Sequence, residues 1–336
     1  MKKKAVSGLI ILIILILVVV GVTIYSFNRE PAQIEFSISD EIAGLTEQAN
    51  YNHKLSKQYK GEFIGAVYIE GVISQTNAQY DQHWLMSTIR KLKNNPRNTA
   101  LAIFINSPGG AVYQADEVYL ALMDYRTTGR PVYVYQGAMA ASGGYYISCA
   151  GNQIYANRNT LTGCIGVIMG NSYDLTGLFE KLGIKSTTIH SGKNKNMMNY
   201  NEPFTEEQKA IMQSMCDECY EQFVSIVSNS RNLSYDKACE LSDGRLYTAK
   251  QALNNDLIDK IDSWENMLRD LSEKLEKPGI KVTTYKKPKK NPTMLELLTG
   301  KAHEFATAKA AGTLGLPEKV IDDMNNSGLT PMYLAQ

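Results

Sequence analysis

The sequence predicts an α/β domain with a largely parallel sheet. Short runs rich in apolar, β-branched and aromatic residues predict strands at 63–73, 100–106 and 132–136. Amphipathic segments at 78–94 and 111–125 separate these runs and predict helices. Because strands and helices alternate along the chain, we expect neighbouring strands to run parallel, with helices packed on the sheet.

Further elements follow toward the C-terminus. A capping box at Thr205–Gln208 predicts the start of a long helix that reaches about Ser230. Residues 279–292 predict a strand and linker, and residues 293–311 predict a last helix. The long helix has an apolar face that we expect to lie in the core, formed by Ile211, Met215, Cys219 and Phe223.

The N-terminus predicts a membrane anchor. Lys2, Lys3 and Lys4 precede a nearly continuous apolar run at 5–27, which is long enough for a bilayer core that needs ~20 residues. The positive flank predicts a cytoplasmic N-terminus, with the bulk of the chain across the membrane. A cleaved signal peptide is the alternative, although the run is longer than usual and lacks a clear small-residue cleavage pattern. Residues 28–60 are polar and predict a linker or an oligomer-contact arm.

The charge balance argues against a nucleic-acid partner. The chain has 35 basic and 34 acidic residues, for a net charge of +1. The basic cluster Lys286–Lys290 is better explained as a linker or strand flank than as a binding site. No phosphate-binding loop, dinucleotide motif or zinc-ligand spacing is present in the sequence, which therefore predicts no cofactor and no metal.

Ser142 is the candidate nucleophile. It follows the strand predicted at 132–136, within the small-residue segment Ala140–Gly144. A strand that delivers a serine to the first turn of a helix places its hydroxyl beside unpaired backbone N–H groups, which can stabilise an oxyanion. The alternative is that Ser142 only caps the helix, which is a common role for serine.

Two further segments carry groups that a serine nucleophile needs. The strand predicted upstream runs into Asn106–Gly110, whose glycines allow the backbone to approach a ligand closely. A strand-like run at Thr187–His190 opens into the polar loop Ser191–Lys195, which contains two lysines. Serine, glycine-rich turn and lysine form a possible catalytic set.

Five segments, in matching order and with ordinary spacing, resemble the motifs of one family. They are N-S-P-G-G at 106–110, M-A-A-S-G-G-Y-Y at 139–146, T-G-x-I-G-V at 162–167, S-G-x-x-K at 191–195 and D-G-R-x-Y-T at 243–248. On these motifs the chain resembles, over roughly residues 60–270, the signal peptide peptidases of the SppA type. The resemblance is to their short, membrane-anchored form, which uses a Ser/Lys pair.

The resemblance implies a role for particular residues. It places the nucleophile on Ser142 and the general base on Lys195, and it takes the oxyanion hole from the backbone N–H groups of Gly109 and Gly143. A lysine acts as a base near neutral pH only when desolvation lowers its pKa from about 10.4. We expect burial against the two methionines that follow Asn196 to contribute to that desolvation.

The chain departs from the family pattern at two positions. Asn196 stands where aspartate is common, so a carboxylate that would orient the loop is missing. Cys164 stands where a serine commonly bonds the lysine, and a thiol is a much weaker hydrogen-bond partner. Cys164 is therefore the candidate for positioning the lysine, and Lys193 is the alternative base.

The resemblance also implies a fold and an assembly. The expected fold is crotonase-like and ClpP-related, preceded by one transmembrane helix. Protomers are expected to form a homo-oligomeric ring, commonly an octamer, in which one protomer's serine meets its neighbour's lysine. The expected organisation is a cytoplasmic stub and anchor at 1–28, a linker or contact arm at 29–60, a peptidase domain at 61–275 and a C-terminal strand, linker, helix and tail at 276–336.

The function implied is an endopeptidase that degrades cleaved signal peptides and other unfolded segments at the outer face of the cytoplasmic membrane. Two other classes stay open. A crotonase-type acyl-CoA enzyme shares the two-amide oxyanion hole, but it is expected in the cytoplasm without an anchor. A catalytically silent scaffold homologue is suggested by Asn196 and Cys164.

Other candidate sites fit less well. Ser234 and Lys237 have the S-x-x-K spacing of penicillin-binding enzymes, but Ser234 is expected to cap a short helix. A Ser/His/Asp triad would need one of four histidines, and the one inside the motif block, His190, lies at a predicted strand end. Cys216 and Cys219 form a C-x-x-C within the long helix, where we expect free buried thiols rather than a redox or metal site.

The C-terminal segment 325–336 predicts an extended tail. Gly328 and Pro331 disfavour helix, and Met332–Ala335 is mostly apolar. We hypothesise that this tail docks in or near a protease groove, of its own or a neighbouring protomer, as an internal competitor or a self-processing substrate. The alternative is an ordinary disordered terminus.

Overall fold

The computed structural model describes residues 61–288 and the backbone of residues 332–334. The predicted anchor at 5–27, the polar arm at 28–60 and the predicted helix at 293–311 lie outside the described residues. No helix in the described part of the chain is long and apolar enough to cross a membrane. The chain divides into two units, Met1–Gly61 and Glu62–Gln336, and the elements below belong to the second.

An eight-stranded mixed sheet forms the centre of this unit. The described strands are β1 (Phe63–Glu70), β2 (Asn98–Ser107), β3 (Gly109–Ala111), β4 (Val132–Ala141), β5 (Gln153–Ala156), β6 (Leu161–Gly163), β7 (Leu246–Thr248), β8 (Lys260–Ile261), β9 (Lys281–Tyr285) and β10 (Met332–Leu334). The strands of the central sheet follow the order β7-β6-β4-β2-β1-β9, with β5 also beside β4 and β8 beside β5. All pairs in this sheet are parallel except β6 with β7, which is antiparallel.

Helices connect the strands and cover both faces of the sheet. The helices of the described region are α1 (Gln82–Lys93), α2 (Val112–Arg126), α3 (Gly143–Ser148), α4 (Thr176–Lys181), α5 (Glu206–Arg231), α6 (Tyr235–Leu241), α7 (Ala249–Asn254) and α8 (Trp264–Lys274). Side chains of β2 alternate between the two faces, as the two-residue period of a strand requires. One core cluster holds Leu101, Ile103 and Ile105 with residues of α1, α2, α3 and α5, and the other holds Ala100 and Ala102 with residues of α8.

The predicted elements are largely confirmed, but the predicted core face of the long helix is wrong except at Phe223. The buried residues of this helix are Met212, Phe223, Val224 and Val227, and Met215 is 44% exposed. The three predicted strands correspond to β1, β2 and β4, and the two helices between them correspond to α1 and α2. The capping box is present, since Thr205 accepts the Gln208 N–H and the Gln208 side chain accepts the Thr205 N–H. Ser234 caps α6 by accepting the Lys237 N–H, as expected.

One predicted element is wrong. Residues 187–190 form no strand, and they are exposed to solvent. The side chain of Ile189 is 96% exposed. The β-branched residues favour an extended chain, but an extended chain becomes a strand only when a neighbouring strand pairs with it.

Two strand ends and one turn position the candidate site. β2 and β4 are parallel neighbours, so their carboxyl ends lie at the same edge of the sheet. β2 ends at Ser107 and continues directly into β3, which contains two glycines of the N-S-P-G-G motif. β4 ends at Ala141, immediately before Ser142 and α3. The topology therefore brings the glycine turn and the candidate nucleophile to one place.

Candidate active site

Ser142 occupies a sharp turn between β4 and α3. Its backbone has φ 52° and ψ −116°, a conformation that a residue with a Cβ adopts at a cost of about 1–3 kcal/mol. The Ser142 N–H donates to the carbonyl of Gly163 over 2.7 Å, which ties the turn to the end of β6. A strained turn held by its neighbours is typical of a functional position.

The Ser142 hydroxyl is buried and unbonded. The residue is 1% exposed, and its Oγ has no hydrogen-bond partner within the described part of the chain. The side chain makes no capping bond to α3, so the alternative role of Ser142 as a simple N-cap is not supported. A buried hydroxyl without a partner carries a free-energy cost, which is explained if a reaction uses it.

The helix that follows Ser142 is fixed by two buried tyrosines. The Tyr145 hydroxyl donates to the Leu257 carbonyl over 2.8 Å, and the Tyr146 hydroxyl donates to Asp116 Oδ1 over 2.6 Å. Gly143 is the first residue of this helix, so its N–H has no acceptor within the helix. The backbone donor predicted for one half of the oxyanion hole is thus held on a rigid element.

The glycine turn forms β3 at the same edge. The Ile73 N–H donates to the Gly109 carbonyl over 2.8 Å, and the Ala111 N–H donates to the Ile73 carbonyl over 2.9 Å. A Cβ on Gly110 would lie 1.9 Å from the Ile73 carbonyl oxygen, so this position requires glycine. The Gly109 N–H, predicted as the second oxyanion donor, bonds the Ser107 Oγ over 3.0 Å.

The C-terminal tail adds a strand to β3. Met332–Leu334 pairs antiparallel with Gly109–Ala111, and Leu334 lies opposite Gly109. β10 also lies against α3, the helix that Ser142 precedes. The predicted extended conformation of the tail is confirmed over these three residues, and the strand contacts both the glycine turn and the helix of the candidate nucleophile.

The predicted lysine loop is exposed. The Lys195 backbone N–H donates to the Gly192 carbonyl over 3.0 Å, but its side chain is open to solvent. Our expectation that Lys195 is buried is therefore wrong for the single chain. The structure does not bring Lys195 to Ser142, because no described residue bonds the Ser142 Oγ. The physical reason is that the loop lacks a strand on either side to hold it against the sheet.

Lys193, the alternative base, has a different contact. Its ammonium forms an exposed ion pair with Glu207 in the first turn of α5, and the Asn194 side chain also donates to Glu207. The bond from Lys193 lowers the pKa of the Glu207 carboxyl below its usual value. Lys193 therefore anchors the loop to α5, while Lys195 has its side chain directed into solvent.

Cys164 lies one residue beyond the carbonyl that Ser142 bonds. It is half-buried, has a left-handed φ of 51°, and its N–H donates to the Arg245 carbonyl over 2.8 Å. Burial raises the pKa of its thiol above the ordinary value, so the thiol is protonated at neutral pH. Cys164 also lines an open cavity of about 410 Å³ together with Cys216.

The cysteines form no disulfide. All five are free thiols, and Cys149 is fully buried while the other four are half-buried. The Cys216 thiol donates to the Val167 carbonyl over 3.3 Å, and burial followed by the nearby Asp217 charge raises its pKa. A protonated thiol bonded to the backbone matches the expected free thiols of the C-x-x-C.

Sequence reasoning missed Ser107. This residue belongs to the N-S-P-G-G motif, but the sequence does not indicate that its hydroxyl is fully buried or that it bonds the Gly109 N–H. The two tyrosines that fix α3 belong to the motif at 139–146, but the sequence does not indicate their structural role. In each case the residue type was visible, while its contact depends on how distant segments pack.

Comparison with known proteins gives consistent matches. The family model of peptidase family S49 matches residues 124–277. A relative in Enterococcus faecium, named as a signal peptide peptidase SppA, is 31% identical over 280 residues, which are 79% of this chain and 78% of the relative. A relative in Synechocystis, named as a protease, is 35% identical over 66% of this chain and 78% of its own length. Protease 4 of Salmonella typhi is 27% identical over 63% of this chain and 35% of its own length.

Proposed function

This chain belongs to peptidase family S49 and is a serine peptidase, and on that basis we propose that it is a membrane-anchored endopeptidase that uses Ser142 as its nucleophile. Its substrates are cleaved signal peptides and other unfolded segments. The observation that carries this proposal is the Ser142 hydroxyl, which is buried and has no partner among the described residues, at the start of the helix against which the strand of the tail lies. A buried hydroxyl without such a bond, on an element that contacts an extended segment, suits attack on a peptide carbonyl.

In the proposed reaction, Ser142 Oγ attacks the scissile carbonyl carbon and its proton passes to the Lys195 amine. The backbone N–H groups of Gly109 and Gly143 stabilise the oxyanion that forms. The lysine then gives the proton to the leaving amine, and an ester on Ser142 is left. A water molecule, deprotonated by the same lysine, hydrolyses this ester and restores the serine.

We assign Lys195 to a neighbouring protomer. The Lys195 side chain is exposed, and no described residue of the same chain bonds the Ser142 hydroxyl, so a second copy is the simplest source of a base. This arrangement needs a homo-oligomer, and a closed ring such as an octamer gives every serine one lysine. Cys164, next to the carbonyl that holds Ser142, is the candidate for positioning the incoming lysine.

Extended chains fit the proposed site because the tail is bound there as a strand. Addition of a peptide to a strand uses its main-chain hydrogen bonds, which any unfolded segment can offer. A substrate in the register of the tail runs antiparallel to β3 and reaches Gly109 near its scissile bond. A tail bound in this way competes with substrate, and it lies against α3, the helix that Ser142 precedes.

The cellular setting is also part of the proposal. The apolar run at 5–27 serves as the anchor, behind a cytoplasmic stub, and residues 29–60 serve as the linker or contact arm. Residues 61–275 form the peptidase domain with a crotonase-like, ClpP-related fold. The domain acts at the extracytoplasmic face of the membrane, and the proposed reaction needs no metal or cofactor.

Labelling and hydrolysis of a peptide test the proposed nucleophile. A fluorophosphonate should label the detergent-solubilised wild type, and Ser142→Ala should abolish labelling and lower turnover of a signal-peptide substrate by about 10⁴-fold or more. Ser234→Ala is the control, because Ser234 has the rival S-x-x-K spacing but caps α6. Labelling that is lost in Ser234→Ala and kept in Ser142→Ala would identify Ser234 as the nucleophile. Absence of labelling in the wild type would favour a catalytically silent scaffold.

A further inference from the structure

Ser107 lies between the two backbone segments that are proposed to bind the oxyanion. It is the last residue of β2, is fully buried, and pairs with Ala140 of β4, two residues before Ser142. A register shift between Ile105 and Ser107 interrupts the regular ladder just before it. The side chain therefore sits where the sheet ends and the glycine turn begins.

The Ser107 hydroxyl contacts both polar groups of one residue. Its Oγ accepts the Gly109 N–H over 3.0 Å and donates to the Gly109 carbonyl over 3.4 Å. The same carbonyl accepts the Ile73 N–H, so it is held from two sides. Gly109 has a left-handed φ of 104°, and a glycine has few steric limits of its own, so these bonds fix its orientation.

The backbone of Ser107 also touches the helix of the nucleophile. A Cβ on Gly144 would lie 3.1 Å from the Ser107 carbonyl oxygen and 3.5 Å from the Ser107 Cβ. Ser107 thus packs against the first turn of α3, one residue after Gly143. One side chain therefore lies against the turn that carries the first donor and the helix that carries the second.

We propose that Ser107 is a positioning residue of the oxyanion hole, an inference that rests on the proposed function. Without substrate, its hydroxyl accepts the buried Gly109 N–H, which would otherwise lack a partner. When a substrate carbonyl arrives, its oxygen takes over this N–H, and the hydroxyl keeps the Gly109 carbonyl in place. The hydroxyl thereby limits how far the Gly109 N–H has to turn to meet the charge that develops on the substrate oxygen.

Ser107→Ala tests this role because a positioning residue of the oxyanion hole should affect the transition state, measured by kcat, more than substrate binding, measured by KM. Removing an oxyanion donor outright costs about 10²–10³ in kcat, and loss of a group that aims the donor should cost roughly tenfold or more. We expect KM to change less than about twofold, because the substrate strand is held by other groups. A peptide aldehyde, which forms a tetrahedral adduct, should lose affinity by the same factor as kcat.

The matched control is Ser148→Ala. Ser148 is also a fully buried serine, but its hydroxyl bonds the Gly144 carbonyl over 2.8 Å and the Gln136 side chain, not a proposed oxyanion donor. The Ser148→Ala variant loses a comparable buried hydroxyl that bonds no proposed oxyanion donor. Its kcat should therefore stay within about twofold of the wild type. If Ser107→Ala does not fold, Ser107→Cys keeps most of the volume with a weaker hydrogen-bond group, and its kcat should fall in the same way.

Each outcome decides the proposal. Unchanged kcat and unchanged aldehyde affinity in a folded Ser107 variant would overturn it, and so would a rise in KM alone. An equal loss in Ser148→Ala would show that any buried hydroxyl has the same effect, which also overturns it. Failure of the proposed function has a different signature, because the wild type itself would then neither hydrolyse peptide nor react with fluorophosphonate.

Discussion

The side chain of Ser142 and that of Lys195 have opposite environments in one chain. The serine hydroxyl is buried and has no partner among the described residues, while the lysine side chain is exposed to solvent. A hydroxyl passes its proton to a base only when the two groups lie within hydrogen-bond distance. The chemistry at this site therefore depends on a contact between serine and lysine that the described residues of a single chain do not make.

Substitution of each lysine separates the two candidate bases. Lys195→Ala should lower kcat about as strongly as Ser142→Ala, by several orders of magnitude, because the nucleophile loses its base. Lys193→Ala removes an exposed ion pair with Glu207 and should change kcat by less than about threefold. Steady-state hydrolysis of one peptide by both variants is the measurement.

Glu207→Gln is the control for the loop, since it breaks the same ion pair from the other side. It should behave like Lys193→Ala. A dispensable Lys195 together with an essential Lys193 would mean that the motif is misaligned by two residues, and Lys193 would then be the base.

Replacement of Cys164 tests the position that departs from the family pattern. Burial raises the pKa of its thiol, so at neutral pH the group is a protonated thiol and a weak hydrogen-bond partner. Cys164→Ser supplies a stronger partner for a lysine, and we expect kcat to rise by a few fold. Both residues have a Cβ, so the left-handed backbone affects them equally.

The measurement is kcat beside the thermal midpoint of the same two proteins. A midpoint within a few degrees, with a higher kcat, assigns the effect to the site. A lower kcat at equal stability would contradict a role for Cys164 in positioning lysine.

The local placement of the candidate residues could be predicted, and their contacts with distant segments could not. Ser142 and Gly143 follow from a strand that ends in small residues before a helix, all within one motif. The exposure of Lys195 does not follow, because desolvation depends on what packs over a side chain. The same holds for Ser107, whose bond to Gly109 requires the exact path of the turn.

At the scale of elements, the sheet could be predicted better than its edges. β1, β2 and β4 are apolar runs between helices, and their burial on both faces gives a strong pattern. β3 and β10 are three residues each, too short for any periodicity. The sequence indicates that the tail is extended, but its partner strand lies far away along the chain and no local pattern names it.

Deletion of residues 325–336 tests whether the tail competes with substrate. The strand of the tail pairs with the glycine turn and lies against α3, where substrate is proposed to bind. The truncated enzyme should cleave short peptides faster, mainly through a lower apparent KM, because the site is no longer occupied. Initial rates over a range of peptide concentrations measure this effect.

The intact mass of the wild type, compared with Ser142→Ala, distinguishes a competitor from a self-processing substrate. Trimming near Leu334 only in the active enzyme identifies the tail as a substrate. Equal rates for the full and truncated chains, with identical untrimmed masses, would exclude both roles.

At the scale of the whole molecule, the proposed assembly would decide whether the site is complete. In the proposed assembly, Ser142 of one protomer forms a site with Lys195 of its neighbour. Activity and oligomerisation should therefore be lost together. A monomer obtained by dilution or by a contact variant should bind peptide and fail to hydrolyse it. Size-exclusion mass and activity on the same fractions measure this link.

Subunit mixing provides a sharper test of the shared dyad. Ser142→Ala and Lys195→Ala are each expected to be inactive. In an equal random mixture, roughly a quarter of the sites combine an intact serine with an intact lysine from the neighbour, so about a quarter of wild-type activity should return. If the dyad lies within one chain, mixing should restore nothing, and a mixture of either variant with itself is the control.

The hydrogen-bond ladder at the glycine turn limits which segments can bind there as proposed substrates. The Ile73 N–H donates to the Gly109 carbonyl, and the Ile73 carbonyl accepts the Ala111 N–H. Because the backbone groups of successive strand residues point to opposite sides, the N–H and carbonyl of Gly110 face the tail. The residue opposite Gly110 must therefore offer both its own backbone groups, which proline cannot do. A folded protein has already committed those groups to its own helices and sheets. If substrates bind in the proposed way, the lifetime of a folded protein near this enzyme is governed by the free energy of its local unfolding rather than by its sequence.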